Sequence, residues 1–114
     1  MKVDELLKEI IEALESVKAE ELISLDVKEK SSITDFLVIA TGASTAHLKG
    51  LADKVHFDLK KKGVQPLGVE GMVQGDWLLL DYNDIIVHLF TSERRAEVKM
   101  EDLFENGHPD RDED

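Results

Sequence analysis

Phe36-Leu37-Val38-Ile39-Ala40, followed directly by Thr41-Gly42-Ala43-Ser44-Thr45, decides the architecture of this chain. An unbroken apolar run from Phe36 to Ala40 predicts a strand covered on both faces, which belongs at the centre of a sheet. The chain then turns at Gly42, and the hydroxyl of Ser44 or of Thr45 caps the helix that follows. Leu48, Leu51, Ala52, Val55 and Leu59 recur at helical spacing and form its buried stripe. Lys60, Lys61 and Lys62 stand where the helix dipole favours cations, and Gly63 ends the element.

Upstream of this unit, Ile23, Leu25 and Val27 alternate with Ser24, Asp26 and Lys28, the period-two pattern of a strand with one wet face. Leu6, Leu7, Ile10, Ile11, Leu14 and Val17 predict an amphipathic helix from about Asp4 to Lys18. Downstream, Val64 to Val69 reads as a weaker strand, which Pro66 confines to an edge or an early strand position. Glu70 to Asp76 is a glycine-flanked loop. Trp77 to Asp81 and Ile85 to Phe90 are apolar strands that Tyr82-Asn83-Asp84 joins into an antiparallel hairpin. Arg94 and Arg95 open a polar segment, and Val98 to Phe104 predicts a short helix. The whole is α/β: one domain over residues 1–105 with a mixed sheet of about five strands flanked by helices. Residues 106–114 are expected to be an acidic, flexible tail.

The bulk numbers agree with one globular domain. The chain has 114 residues, of which 42% are hydrophobic, too many for a disordered chain. It has no cysteine, which excludes a disulfide, a thiolate metal site and a cysteine nucleophile. Met1-Lys2-Val3-Asp4-Glu5 carries no basic region ahead of an apolar run, so no secretory signal is expected and the location expected is cytoplasmic. The net charge is -11, from 25 acidic and 14 basic residues. Such a field repels phosphate backbones and favours encounter with a basic protein surface.

Few residues point to catalysis. Gly42-Ala43-Ser44 at a strand end invites comparison with a phosphate-binding turn, since amides at a helix N-terminus attract anions. No Gly-x-x-x-x-Gly-Lys-Ser or Gly-x-Gly-x-x-Gly accompanies it, and a relieved turn with a helix cap is the preferred reading. A nucleotidyltransferase would add paired carboxylates for magnesium, but Asp53 has no second acid at Asp-x-Asp spacing. Asp81 and Asp84 flank a turn, where aspartate is common in any case. His47, His56, His88 and His108 show no metal-binding spacing. Ser44 and His88 could be posed as nucleophile and base, but no Gly-x-Ser-x-Gly supports them. His88, inside an apolar strand, reads as a hydrogen-bonded, half-buried side chain. No catalytic residue, metal site or cofactor is expected.

Met72, Trp77 and Tyr82 are more informative. The single tryptophan and single tyrosine of the chain lie in one loop-strand-turn segment with one of its three methionines. Such rings concentrate at the energetic centres of interfaces, because they bury large area with few rotors. Trp77, Leu79 and Asp81 share one face of a regular strand. Glu70 and Asp81 would supply charge at the rim. Trp77 as a plug in the sheet's own core remains the equal alternative, and Arg94 and Arg95 are left open between contact with a nucleic acid and pairing with nearby acids.

The order and spacing of several segments resemble the ribosomal silencing factor, or Iojap-like, family. The matching residues are Thr34 to Gly42, Ser44, His47, Gly68-Val69-Glu70-Gly71, Trp77 to Tyr82, Val87-His88-Leu89-Phe90 and Arg94. The resemblance implies a nucleotidyltransferase-like fold without the catalytic carboxylates. It implies a translational repressor, not an enzyme, that binds the large ribosomal subunit through ribosomal protein L-fourteen. Occupying that face blocks subunit joining under nutrient limitation. Relatives assist large-subunit assembly, and a homodimer is common. On this basis the partner-binding residues expected are Glu70, Met72, Trp77, Leu79, Asp81 and Tyr82. A nucleotidyltransferase-type enzyme with a degenerate site is the remaining alternative. The pattern breaks near the end, where the family's Tyr-x-Leu-Glu-x-Leu-Trp is replaced by Val98-Lys99-Met100-Glu101-Asp102-Leu103-Phe104. Contacts made by those two missing rings are not carried over.

Overall fold

The computed structural model describes residues 1–71 and 74–105, with the backbone alone for 103–105. Met72 and the tail over 106–114 lie outside the described residues. The elements are α1 (Val3–Ser16), β1 (Glu20–Asp26), β2 (Phe36–Gly42), α2 (Thr45–Lys60), β3 (Gly68–Gly71), β4 (Trp77–Asp81), β5 (Ile85–Thr91), α3 (Ser92–Val98) and α4 (Met100–Glu105).

Helix α1 starts where Glu5 folds back to accept the Lys2 N–H at 3.2 Å, which satisfies one of the donors a helix start leaves free. Helix α2 is capped by Ser44, whose Oγ accepts the His47 N–H at 3.0 Å. Of the two hydroxyls considered for that cap, Ser44 is the one used. The helix closes through Gly63 at φ +80, with the Val64 N–H returning to the Leu59 carbonyl at 3.0 Å.

The sheet order is β1-β2-β5-β4-β3. β2 and β5 run parallel at its centre, from Phe36↔Ile85 to Gly42↔Thr91, and the other pairs are antiparallel. The mixed five-stranded sheet is thus present, with Phe36 to Ala40 in an interior strand beside the middle strand β5.

Val38, Ala40, Leu80, Ile85, Val87 and Leu89 point to one face and pack under Leu6, Ile10 and Leu14 of α1 and Leu48, Leu51, Val55 and Leu59 of α2. Each buried leucine, isoleucine or valine among them contributes roughly 1.5–3 kcal/mol relative to exposure. The alternate residues Leu37, Ile39, Thr41, Trp77, Leu79, Asp81, Ile86, His88 and Phe90 point to the other face. Helix α3 reaches that face, because Arg95 Nη1 donates to Thr41 Oγ1 at 2.8 Å.

Two elements differ from expectation. The third strand, expected over Val64 to Val69, spans Gly68–Gly71. The Val64 N–H is committed to the end of α2, and Pro66 has none, so pairing starts only where Leu67 donates to the Asp81 carbonyl at 2.7 Å. The short helix expected over Val98 to Phe104 is present as α4, but a further helix, α3, precedes it where only a polar segment was expected. α3 begins at Ser92, where Thr91 Oγ1 accepts the Arg94 N–H at 3.4 Å, and Lys99 at φ 52 separates it from α4.

Candidate functional site

Strand alternation turns Trp77, Leu79 and Asp81 away from the two long helices. Trp77 opens β4 opposite Phe90, while Leu79 stands opposite His88 on β5 and Glu70 on β3. The indole of Trp77 is half-buried. It lies over the fully buried Phe90 ring with centroids 5.0 Å apart and planes tilted by 38°. Its Nε1–H donates to His88 Nδ1 at 3.1 Å. Trp77 is therefore a partly exposed side chain seated on His88 and Phe90.

His88 is 6% exposed, and burial pushes its imidazole down to about 4. Removing a cation from water is unfavourable, so the ring is neutral at ordinary pH. With Nδ1 accepting from Trp77, the ring proton sits on Nε2. This is the hydrogen-bonded strand histidine expected, with its accepting nitrogen already engaged.

Leu79 and Asp81 are partly exposed and Glu70 is exposed. Asp81 also has a local task, since its Oδ1 accepts the Asn83 N–H at 2.8 Å and supports the turn in which Asn83 adopts φ 73. Tyr82 does not join this group. It is 5% exposed and packs in the core beneath the helices, where burial pushes its hydroxyl up to about 12. Tyr82 is one residue past Asp81, so the alternation that turns Asp81 outward turns Tyr82 inward. The placement of Tyr82 beside Trp77 is corrected on that ground.

The turn at Gly42 is occupied by structure. A Cβ at Gly42 would lie 2.7 Å from Leu48 Cδ2 and 3.3 Å from the Leu48 nitrogen, so any larger residue would force the buried Leu48 to shift. His47 Nδ1 accepts the Ala43 N–H at 2.8 Å, and His47 Nε2 meets the Val17 carbonyl at 2.7 Å. One ring thus ties the start of α2 to the end of α1. In the sequence His47 stands among the histidines without metal-binding spacing and among the family-matching residues, and the one local sign of this tie is its four-residue spacing from Ala43 across a helix start. Asp53 pairs with Lys49 at 3.6 Å. Among the described residues no group of three or more histidine, aspartate or glutamate side chains is placed to hold a metal ion.

Both arginines left open pair with acids. Arg94 meets Asp76 at 3.3 Å and Glu97 at 3.2 Å. Arg95, 8% exposed, donates to Glu101 Oε2 at 3.0 Å and to the Glu21 carbonyl at 2.6 Å. Among the described residues no helix is long and apolar enough to cross a membrane.

A family model described as ribosomal silencing factor during starvation matches residues 1–114. The chain is 36% identical over 104 residues to a ribosomal silencing factor of Chromobacterium violaceum, covering 91% of this chain and 85% of that one. It is 28% identical over 98 residues to a mouse protein named mitochondrial assembly of ribosomal large subunit protein 1, and spans 43% of that longer chain. A crystal structure of a Chromobacterium violaceum protein superposes with a TM-score of 0.88 at 34% identity, covering 100% of this chain and 92% of that one.

Proposed function

From the premise that the chain belongs to the ribosomal silencing factor family, we propose that it is a translational repressor that binds the large ribosomal subunit through ribosomal protein L-fourteen and sterically blocks subunit joining. The observation that carries the reading is the half-buried Trp77, seated on His88 and Phe90 at the sheet face away from the long helices. A large ring with one side already packed offers the other side to a partner at small entropic cost. Leu79 extends the apolar strip, and Glu70 and Asp81 meet basic groups at its rim. Met72, between Glu70 and Trp77 in sequence, completes the proposed set. Occlusion of the docking face is sufficient for repression, so no substrate is transformed and no cofactor is required. The active form is a homodimer in the cytoplasm, and nutrient limitation is the condition in which it acts.

Co-sedimentation of the purified protein with separated large and small subunits tests this reading. It should pellet with large subunits alone and reduce their pairing with small ones. Trp77→Ala should weaken binding by about 2 kcal/mol or more. A folded Trp77→Ala protein that binds as tightly as wild type removes Trp77 as anchor, and failure to pellet with large subunits removes the function.

A second reading is favoured by the name of the mouse relative: assistance in large-subunit assembly, through the same partner but earlier. Ribosome profiles of a deletion strain separate the two. Large-subunit precursors would indicate assembly, and an excess of joined ribosomes in starvation would indicate silencing.

A further inference from the structure

We infer that His88 is a positioning residue for partner binding, its Nδ1 holding the Trp77 indole in the orientation the partner meets; this rests on the reading of Trp77 as the anchor.

The position itself asks for an explanation. On its own strand and face His88 stands between Ile86 and Phe90, and its neighbours across the sheet are Ile39 on β2 and Leu79 on β4. All four are apolar, and His88 is 6% exposed. An aliphatic side chain would fill this place without a polar group to satisfy, and a buried polar group is unfavourable unless hydrogen-bonded. The hydrogen bond here goes to Trp77 Nε1 at 3.1 Å. The indole N–H is donor only, and left unpartnered beneath a bound protein it would oppose binding.

The seat is also stiff. The His88 and Phe90 rings are nearly parallel, 10° between planes, with centroids 6.1 Å apart, and Phe90 is fully buried. Both belong to β5, which is paired on both sides. An acceptor fixed in the middle of a sheet therefore defines the direction of the indole N–H, and Phe90 defines the plane beneath the ring. Burial keeps the imidazole neutral, which leaves Nδ1 free to accept. Holding one large side chain in its bound orientation improves affinity on the order of two- to tenfold.

Three variants test the inference: Trp77→Ala, His88→Leu and His88→Gln, with His88→Met in place of leucine should that protein fail to fold. Affinity for isolated large subunits is measured with the thermal midpoint and the indole N–H resonance, which is unambiguous because the chain has one tryptophan. His88→Leu should shift the indole signal and weaken binding about fivefold. His88→Gln, whose carbonyl can accept the same proton, should bind within about twofold of wild type. A merely structural histidine would lower the midpoint without changing the affinity of the folded protein. If His88→Leu binds as wild type while Trp77→Ala does not, the anchor stands and the positioning role falls. If glutamine fails to restore what leucine loses, the hydrogen bond is not the cause. If Trp77→Ala binds normally, the anchor reading itself fails.

Discussion

Burial holds the His88 imidazole near pKa 4, against an ordinary 6.5, so between those values the unfolded chain binds a proton that the folded chain refuses. Stability therefore rises with pH across this window: the contribution is fully present above about pH 6.5 and is lost as pH falls toward 4. From about pH 7 to about pH 5 this one group should remove roughly 2 kcal/mol of folding stability. Stability also depends on pH through other groups, so the measurement is a difference. Urea unfolding at both pH values should show a steeper loss in wild type than in His88→Leu, and equal losses would mean that His88 is not buried as a neutral ring. In the folded chain protonation would place a donor where Nδ1 now accepts, which sets Trp77 loose only as pH falls to about 4. Tyr82 shows the same principle in an uncharged group: burial pushes its hydroxyl up to about 12, leaving it neutral throughout this range.

At the scale of elements, the two long helices are joined by a side chain as well as by packing. His47 links the Ala43 N–H at the start of α2 to the Val17 carbonyl at the end of α1. His47→Leu leaves both backbone groups without that partner and should destabilise the fold by about 1–3 kcal/mol. Thermal or urea unfolding checks this, and an unchanged midpoint would show that water replaces the ring without loss. Such a tie joins residues 30 apart, and nothing in local patterning announces it. The elements themselves were far more legible. The unbroken run Phe36 to Ala40 located the central strand, because only a strand covered on both faces can afford no polar alternation. β3 was displaced because Pro66 and a helix-closing N–H claimed the residues whose side chains looked strand-like. α3 was missed because its polar surface hides one residue, Arg95, whose burial depends on Glu21, Thr41 and Glu101 from elsewhere in the chain. In the candidate site, Trp77, Leu79 and Asp81 follow from strand period alone. Tyr82 is grouped with Trp77 only because both rings lie in one segment, whereas strand period turns it inward, and the support beneath Trp77 requires knowing that β5 lies beside β4.

For the whole molecule the dominant quantity is charge. The chain carries -11, and many of its cations are already neutralised by local pairs: Lys49 with Asp53, Lys54 with Asp58, Lys62 with Glu9, and Arg94 with Asp76. Exposed pairs of this kind add little stability, but they leave the long-range field negative. A negative field acts before contact, drawing the protein toward a basic surface, whereas the seated indole acts after contact. The two should therefore separate kinetically. Glu70→Lys, on the exposed edge strand β3, should slow association with large subunits on the order of several-fold at low salt and leave dissociation nearly unchanged. Added salt should erase most of that difference, because screening shortens the reach of the field to about 8 Å at physiological ionic strength. Trp77→Ala should do the reverse, raising the dissociation rate with association little altered. Surface-plasmon measurements on immobilised large subunits at two salt concentrations separate these cases. If Glu70→Lys instead speeds association, the surface it meets is acidic, and the large subunit is approached through its RNA rather than through a basic protein.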